Sequence, residues 1–338
     1  VKRRLAVGVL TGTALAAGAA ALGFGLGGQK KPRAAGGLPA RVLAGYYPAW
    51  HPAPARLRDI DPHYGVLYLF AARPVGGAPG TTGAVYWSPP GDGRGAASHF
   101  HQDLQHVRAV QGRKVLLSVG GDGNGMRFPD RARSQAFLAS IVALHGQFGG
   151  FDGLDWNTFQ AGQAPDTAEM IWISLELKRR YPGFIISAPP APWNPVDQRF
   201  CRDMLNAGAL DYAAPQYYDG PNLADPAYVL ANVGTWVALL GAAHVVVGFG
   251  INSAANFMTE TQAIATWIAL RRRHPGLRGA FHWELDADER QGWPFARKIG
   301  PLVTSGSVPT FGHELGCSSQ NKAEKVQFCP NVGTGPEG

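Results

Sequence analysis

Cysteine is scarce: three in 338 residues cannot build a disulfide scaffold, and none stands in a C-x-x-C pair. No H-E-x-x-H occurs, so no metal site and no metal or other cofactor is expected. The chain also lacks a Gly-rich phosphate turn, the usual sign of a nucleotide-binding doubly wound sheet. A basic stripe is missing as well. The formal net charge is +7, but Lys2, Arg3, Arg4, Lys30, Lys31 and Arg33 all precede Gly37. Removing these leaves about +1 for the body. Beyond the short Arg271-Arg272-Arg273 run, nothing offers a phosphate-binding surface, which sets nucleic acid aside as a partner.

Residues 1–36 combine a basic start, an uncharged Ala/Gly/Leu stretch from Leu5 to Gly28, small residues at 17–20 and a polar linker. This pattern predicts a signal peptide or N-terminal anchor, and a secreted or envelope-anchored protein. Residues 306–338 form a polar tail. A Cys317–Cys329 bridge there would close a short loop; two unpaired thiols are the alternative. Cys201, in a helical-looking stretch, reads as a small buried hydrophobe.

With 45% hydrophobic residues the chain suffices for one large α/β barrel or two ordinary domains. Strand-like runs decide between them: Val42 to Tyr47, Val66 to Phe70, Lys114 to Val119, Phe151 to Asp155, Phe184 to Ala188, Leu210 to Tyr218, His244 to Gly250 and Gly279 to Glu284. Most are continuously apolar, as parallel strands covered on both faces must be. Between them lie amphipathic stretches with capping-box starts at Asp166-Thr167-Ala168-Glu169 and at Thr259-x-x-Gln262. Both stretches exit through basic residues followed by Pro-Gly. Eight βα units over roughly 260 residues predict a single (β/α)8 TIM barrel over 37–305. The segment after the seventh strand has no room for an inserted α+β subdomain, so the cleft at the strand C-termini should be shallow and open.

The strand ends carry the chemistry. The third reads Ser118-Val119-Gly120-Gly121, and the fourth Asp152-Gly153-Leu154-Asp155-Trp156-Asn157-Thr158-Phe159. The fifth continues into Ser187-Ala188-Pro189-Pro190, the sixth into Gln216-Tyr217-Tyr218-Asp219, and the eighth into His282-Trp283. In this order they resemble the S-x-G-G, D-G-x-D-x-D-x-E and Q-x-Y segments of family 18 glycoside hydrolases, the hevamine-type chitinases. Asp152, Gly153 and Asp155 match the acidic motif; Asn157 replaces an aspartate, and Phe159 replaces the proton-donating glutamate.

In that family the substrate's own N-acetyl oxygen attacks the anomeric carbon. The resemblance then implies a catalytic set of Asp155, Asn157 at the acetamide-orienting position, Phe159 at the acid position, and Tyr218. Asp152, Gln216, Asp219, Trp283 and Tyr46 are the implied substrate contacts, with Trp283 as the aromatic floor. A phenyl ring donates no proton, and an amide carries no charge to balance a developing oxazolinium. The expectation is a monomer that binds N-acetylhexosamine oligo- or polysaccharide, such as chitin, with hydrolysis absent or strongly weakened. The alternatives are a glycosidase whose acid has moved to Asp219 or Glu284, with Asp122 a weaker candidate, and a protein-binding or inhibitory barrel. Tyr86 and Trp87 are read as either a groove wall or a hydrophobic clasp, and Tyr46, Tyr47 and Trp50 as groove lining or barrel-end packing.

Overall fold

The computed structural model describes residues 37–50, 55–90, 96–121, 124–157, 165–252 and 254–305. The segments expected as export signal and C-terminal tail, with the proposed Cys317–Cys329 bridge, lie outside the described residues. So do Asp122 and Phe159.

Among the described residues ten strands run β1 (Val42–Pro48), β2 (Val66–Pro74), β3 (Val85–Tyr86), β4 (Lys114–Gly120), β5 (Gly153–Asn157), β6 (Ile185–Ala188), β7 (Tyr212–Ala213), β8 (Gln216–Tyr217), β9 (Val246–Gly250) and β10 (Gly279–Trp283). The sheet order is β7-β6-β5-β4-β2-β1-β10-β9-β8, all parallel, with β3 added antiparallel to β2. The two ends meet because β7 and β8 are halves of one barrel strand. Ala213 pairs with Ala188 on one side and bridges Val245 on the other, while Gln216 and Tyr217 pair with Gly248 and Phe249. This is the expected (β/α)8 barrel.

The continuous apolar runs are explained by two cores. Along β1 and β2, Val42, Ala44, Tyr46, Val66, Tyr68 and Phe70 fill the barrel interior. Their alternating neighbours Leu43, Tyr47, Leu67 and Leu69 pack outward against helices, as the two-residue period of a strand requires. Helices α1 (Ala96–Ala109), α2 (Arg131–Gln147), α3 (Thr167–Arg180), α4 (Pro195–Asn206), α5 (Pro226–Leu240) and α6 (Glu260–Arg273) alternate with the strands, followed by the short α7 (Leu285–Arg290) and α8 (Gly300–Thr304). Among the described residues no helix is long and apolar enough to cross a membrane.

Thr259 and Gln262 form the expected reciprocal capping box on α6. The one expected on α3 does not form. The Asp166 carboxylate instead accepts from the Phe128 backbone N–H at 2.6 Å and from Arg127 at 3.2 Å, a long-range pairing that outcompetes the local cap. Cys201 is fully buried on α4. Among the described residues only α6 lies between β9 and β10, so they place no subdomain over the C-terminal face there.

Candidate active-site cleft

Strand β5 sets the axis of the site. Asp155 points into the barrel, fully buried, where three strands each bring it a hydroxyl donor. Tyr46 (2.9 Å) and Ser118 (2.8 Å) donate to Oδ2, and Ser187 (2.7 Å) donates to Oδ1. Burial pushes the Asp155 carboxyl up to about 6, while the three donors pull the other way. Two residues on, and so on the same inward face one pleat higher, Asn157 lines a cleft of 250 Å³ at the barrel mouth.

Strand β4 makes room for that cleft. Its Gly-Gly exit is dictated by space and backbone: at Gly120 (φ +100°) a Cβ would stand 2.4 Å from the Asn157 carbonyl oxygen. At Gly121 (φ +87°) it would stand 2.4 Å from Cζ of Phe70. The Gly121 N–H closes the turn by donating to the Asn157 carbonyl at 2.6 Å. Phe70 reaches this place because β2 slips register against β4 between Leu69 and Ala72. The bulge turns both Phe70 and Ala71 toward the interior cluster.

Aromatic rings form the floor. Trp283 packs edge-on to Phe70 (5.0 Å between centroids), tilted to Tyr46 (5.3 Å) and Trp50 (6.0 Å), and parallel to Tyr218 at 6.1 Å and 12°. The Tyr218 hydroxyl donates to Oε1 of Gln216 at 2.7 Å, and the Gln216 amide donates to the Pro189 carbonyl at 2.6 Å. Burial raises the Tyr218 phenol well above its ordinary range, helped by Asp219, Asp155 and Glu284, so it stays protonated. Glu284 follows β10 as the N-cap residue of α7. Burial and the neighbouring Asp286 carboxyl push it up to about 8.

Of the residues expected from the sequence, Asn157, Gln216, Tyr218, Asp219 and Trp283 come together as cleft lining. Asp155 lies sealed beneath them. Tyr46, expected as a substrate contact, is fully buried in the layer below, stacked on Tyr68 at 4.5 Å and bonded to Asp155. Asp152, expected to touch substrate, sits instead below the start of β5. Arg108 grips its carboxylate through Nε (3.0 Å) and Nη2 (3.1 Å), and the Val115 N–H donates to it at 2.9 Å. Three residues from Asp155, it cannot share that residue's face of the strand.

Trp50 lines the cleft, while Tyr47 packs into the outer core. Trp87 proves to be a clasp, packed on Phe100 (5.3 Å) and Phe148 (5.2 Å), whereas Tyr86 is exposed. Sequence reading missed Phe70, Arg73 and Asn124 as lining residues. The only hint was that Arg73 stands three residues beyond an aromatic strand end. Among the described residues no cluster of three or more His, Cys, Asp or Glu is placed to hold a metal ion.

No protein-family model matches the chain. A 100-residue stretch is 29% identical to chitinase Chi52 of Paenibacillus xylanexedens, covering 30% of this chain and 18% of that protein, under a fifth of the relative's length. Among solved structures, a family GH18 chitinase from Chromobacterium violaceum superposes with a TM-score of 0.68 at 18% identity, over 81% of this chain and 87% of that one. The xylanase-alpha-amylase inhibitor protein XAIP-I, solved with trehalose, gives 0.59 at 16% identity, over 76% and 97%. The chain therefore has the barrel fold of the GH18 chitinases, a fold that an inhibitor protein also shares.

Proposed function

We propose that this is a secreted, monomeric family 18 chitinase-like protein that binds an N-acetylhexosamine glycan in the cleft and hydrolyses it slowly or not at all. One observation carries the reading: the β5 side chain at the cleft is the amide of Asn157, while the carboxyl on the same strand, Asp155, is buried below it among three hydroxyls. In a sequence of the D-G-x-D-x-D-x-E type the acid would stand at Phe159, which has no proton to give. The binding half of the site is present. Trp283 and Tyr218 offer ring faces for a pyranose, and Gln216, Asn157 and Asp219 offer polar edges for hydroxyl and acetamide groups. The structural likeness to chitinases and the short match to Chi52 support this ligand class.

The experiment pairs calorimetric titration of chitotetraose with a reducing-end assay on the same sugar. Saturable binding with negligible turnover is expected; robust turnover overturns the reading.

A second reading draws on Glu284. It holds a proton near neutral pH beside Tyr218 and Asp219, as a displaced general acid must. Turnover in the native protein that disappears in Glu284→Gln would establish it.

A further inference from the structure

The cleft contains a charge that the glycan reading does not use. After the bulge in β2, Ala72 packs in the outer core, so strand alternation turns Arg73 to the opposite face, where it lines the cleft with Asn124, Asn157 and Asp219. The added strand β3 holds it there: Arg73 pairs with Tyr86 across the antiparallel ladder, and Tyr86 presents 54% of its surface on that same face. The Arg73 guanidinium makes no hydrogen bond or ion pair with any described residue. Among the described lining residues Asp219 is the only acid. A site that develops positive charge on a sugar gains from carboxylates and loses from a guanidinium. This cleft has Asn157 where a carboxylate would help and, at its wall, a cation that no described residue engages.

We propose that Arg73 makes the cleft selective for N-acetylhexosamine glycans that carry a carboxylate, as on the lactyl ether of a muramic acid unit, over neutral chitin-type chains. The planar guanidinium fits a carboxylate through two parallel N–H donors. The ring faces of Trp283 and Tyr86 hold the sugars to either side. Deacetylated, cationic glucosamine chains are repelled. This inference rests on the cleft being a glycan site, and its test separates the two.

The native protein is titrated calorimetrically at low salt with chitotetraose and with a peptide-free tetrasaccharide alternating N-acetylglucosamine and N-acetylmuramic acid. The acidic sugar is expected to bind about five- to tenfold tighter, with the advantage shrinking at 0.5 M salt. Arg73→Gln should bring the affinity ratio to about one, and Arg73→Lys should keep part of it. A merely structural role would weaken both sugars alike and leave the ratio standing. A ratio of one in the native protein, or an unchanged ratio in Arg73→Gln, overturns the selectivity while leaving the glycan site intact. Failure of both sugars to bind overturns the glycan site and the selectivity together. The salt dependence, read on the native protein, stands even if a variant fails to fold.

Discussion

The Tyr46 hydroxyl donates to Oδ2 of Asp155 across the barrel interior at 2.9 Å, and with Ser118 and Ser187 it surrounds a carboxyl that has no exposed surface. Asp155→Ala strips three buried donors of their acceptor. At about 1 kcal/mol for each bond, a loss of about 3 kcal/mol is expected in urea denaturation. Asp155→Asn, equal in shape and still able to accept, should cost less. Equal losses in the two variants would show that volume, not hydrogen bonding, sets the role of this residue.

Glu284 makes stability depend on pH. Its carboxyl is held up to about 8 from an ordinary 4.5 by burial and by Asp286. The folded protein therefore keeps a proton that the unfolded chain gives up, a contribution present in full below the unfolded value and lost as pH rises through the folded one. Asp155, held up to about 6 from 3.8, adds to the same slope on its acidic side. Buried His282, held down to about 3 from an ordinary 6.5, works in the opposite sense below about pH 6.5, so the melting temperature should fall between about pH 6.5 and pH 8, and Glu284→Gln should flatten that fall. A rising profile, or an unaltered slope in the variant, contradicts this.

Gly121 holds the Phe70 ring in the floor. Gly121→Ala puts a methyl 2.4 Å from Cζ of that ring, at a backbone φ of +87°. The strain and the displaced ring together should cost about 2–3 kcal/mol, read as a lower melting temperature, and should weaken chitotetraose binding.

Trp283 packs against three other rings of the cleft, Trp50, Phe70 and Tyr218, and against Tyr46 beneath it. Trp283→Ala should lower glycan affinity by about tenfold or more, with Trp283→Phe intermediate in calorimetry. Undiminished binding would move the sugar site elsewhere on the barrel.

Restoring the two acids tests the proposed loss of function. Asn157→Asp with Phe159→Glu should raise hydrolysis of chitotetraose by about 10²–10⁴-fold, the usual worth of a general acid, in the reducing-end assay. A folded double variant that binds the sugar without turnover would place the defect elsewhere in the cleft.

The barrel was legible because burial on both faces leaves apolar runs with no helical gap, and eight such runs alternated with amphipathic stretches. What escaped depended on partners far away in the chain. Leu210 to Tyr218 read as one strand, but Pro215 has no N–H for the ladder, and the strand changes partner there. The second strand was expected to stop at Phe70. It runs on to Pro74 because β3 pairs with it, and that extension carries Arg73 to the cleft. Asp152 was grouped with Asp155 by motif, although strand alternation alone separates their faces.

The split of the sixth barrel strand has a consequence for how the molecule opens. Ala213 ties the ring to both neighbours, yet above it, among the described residues, the β6 side is held by two single backbone bonds, Ala214 to Ala188 and Gln216 to Pro190, and the only ladder is Gln216 and Tyr217 against β9. A cylinder joined by so short a splice has its weakest hoop beside the groove, so hydrogen–deuterium exchange should reach these amides before those of β1 or β4. The residues that would hold a saccharide, Gln216 through Asp219, thus hang from the most yielding stave, and a bound chain would act as the clamp that closes it.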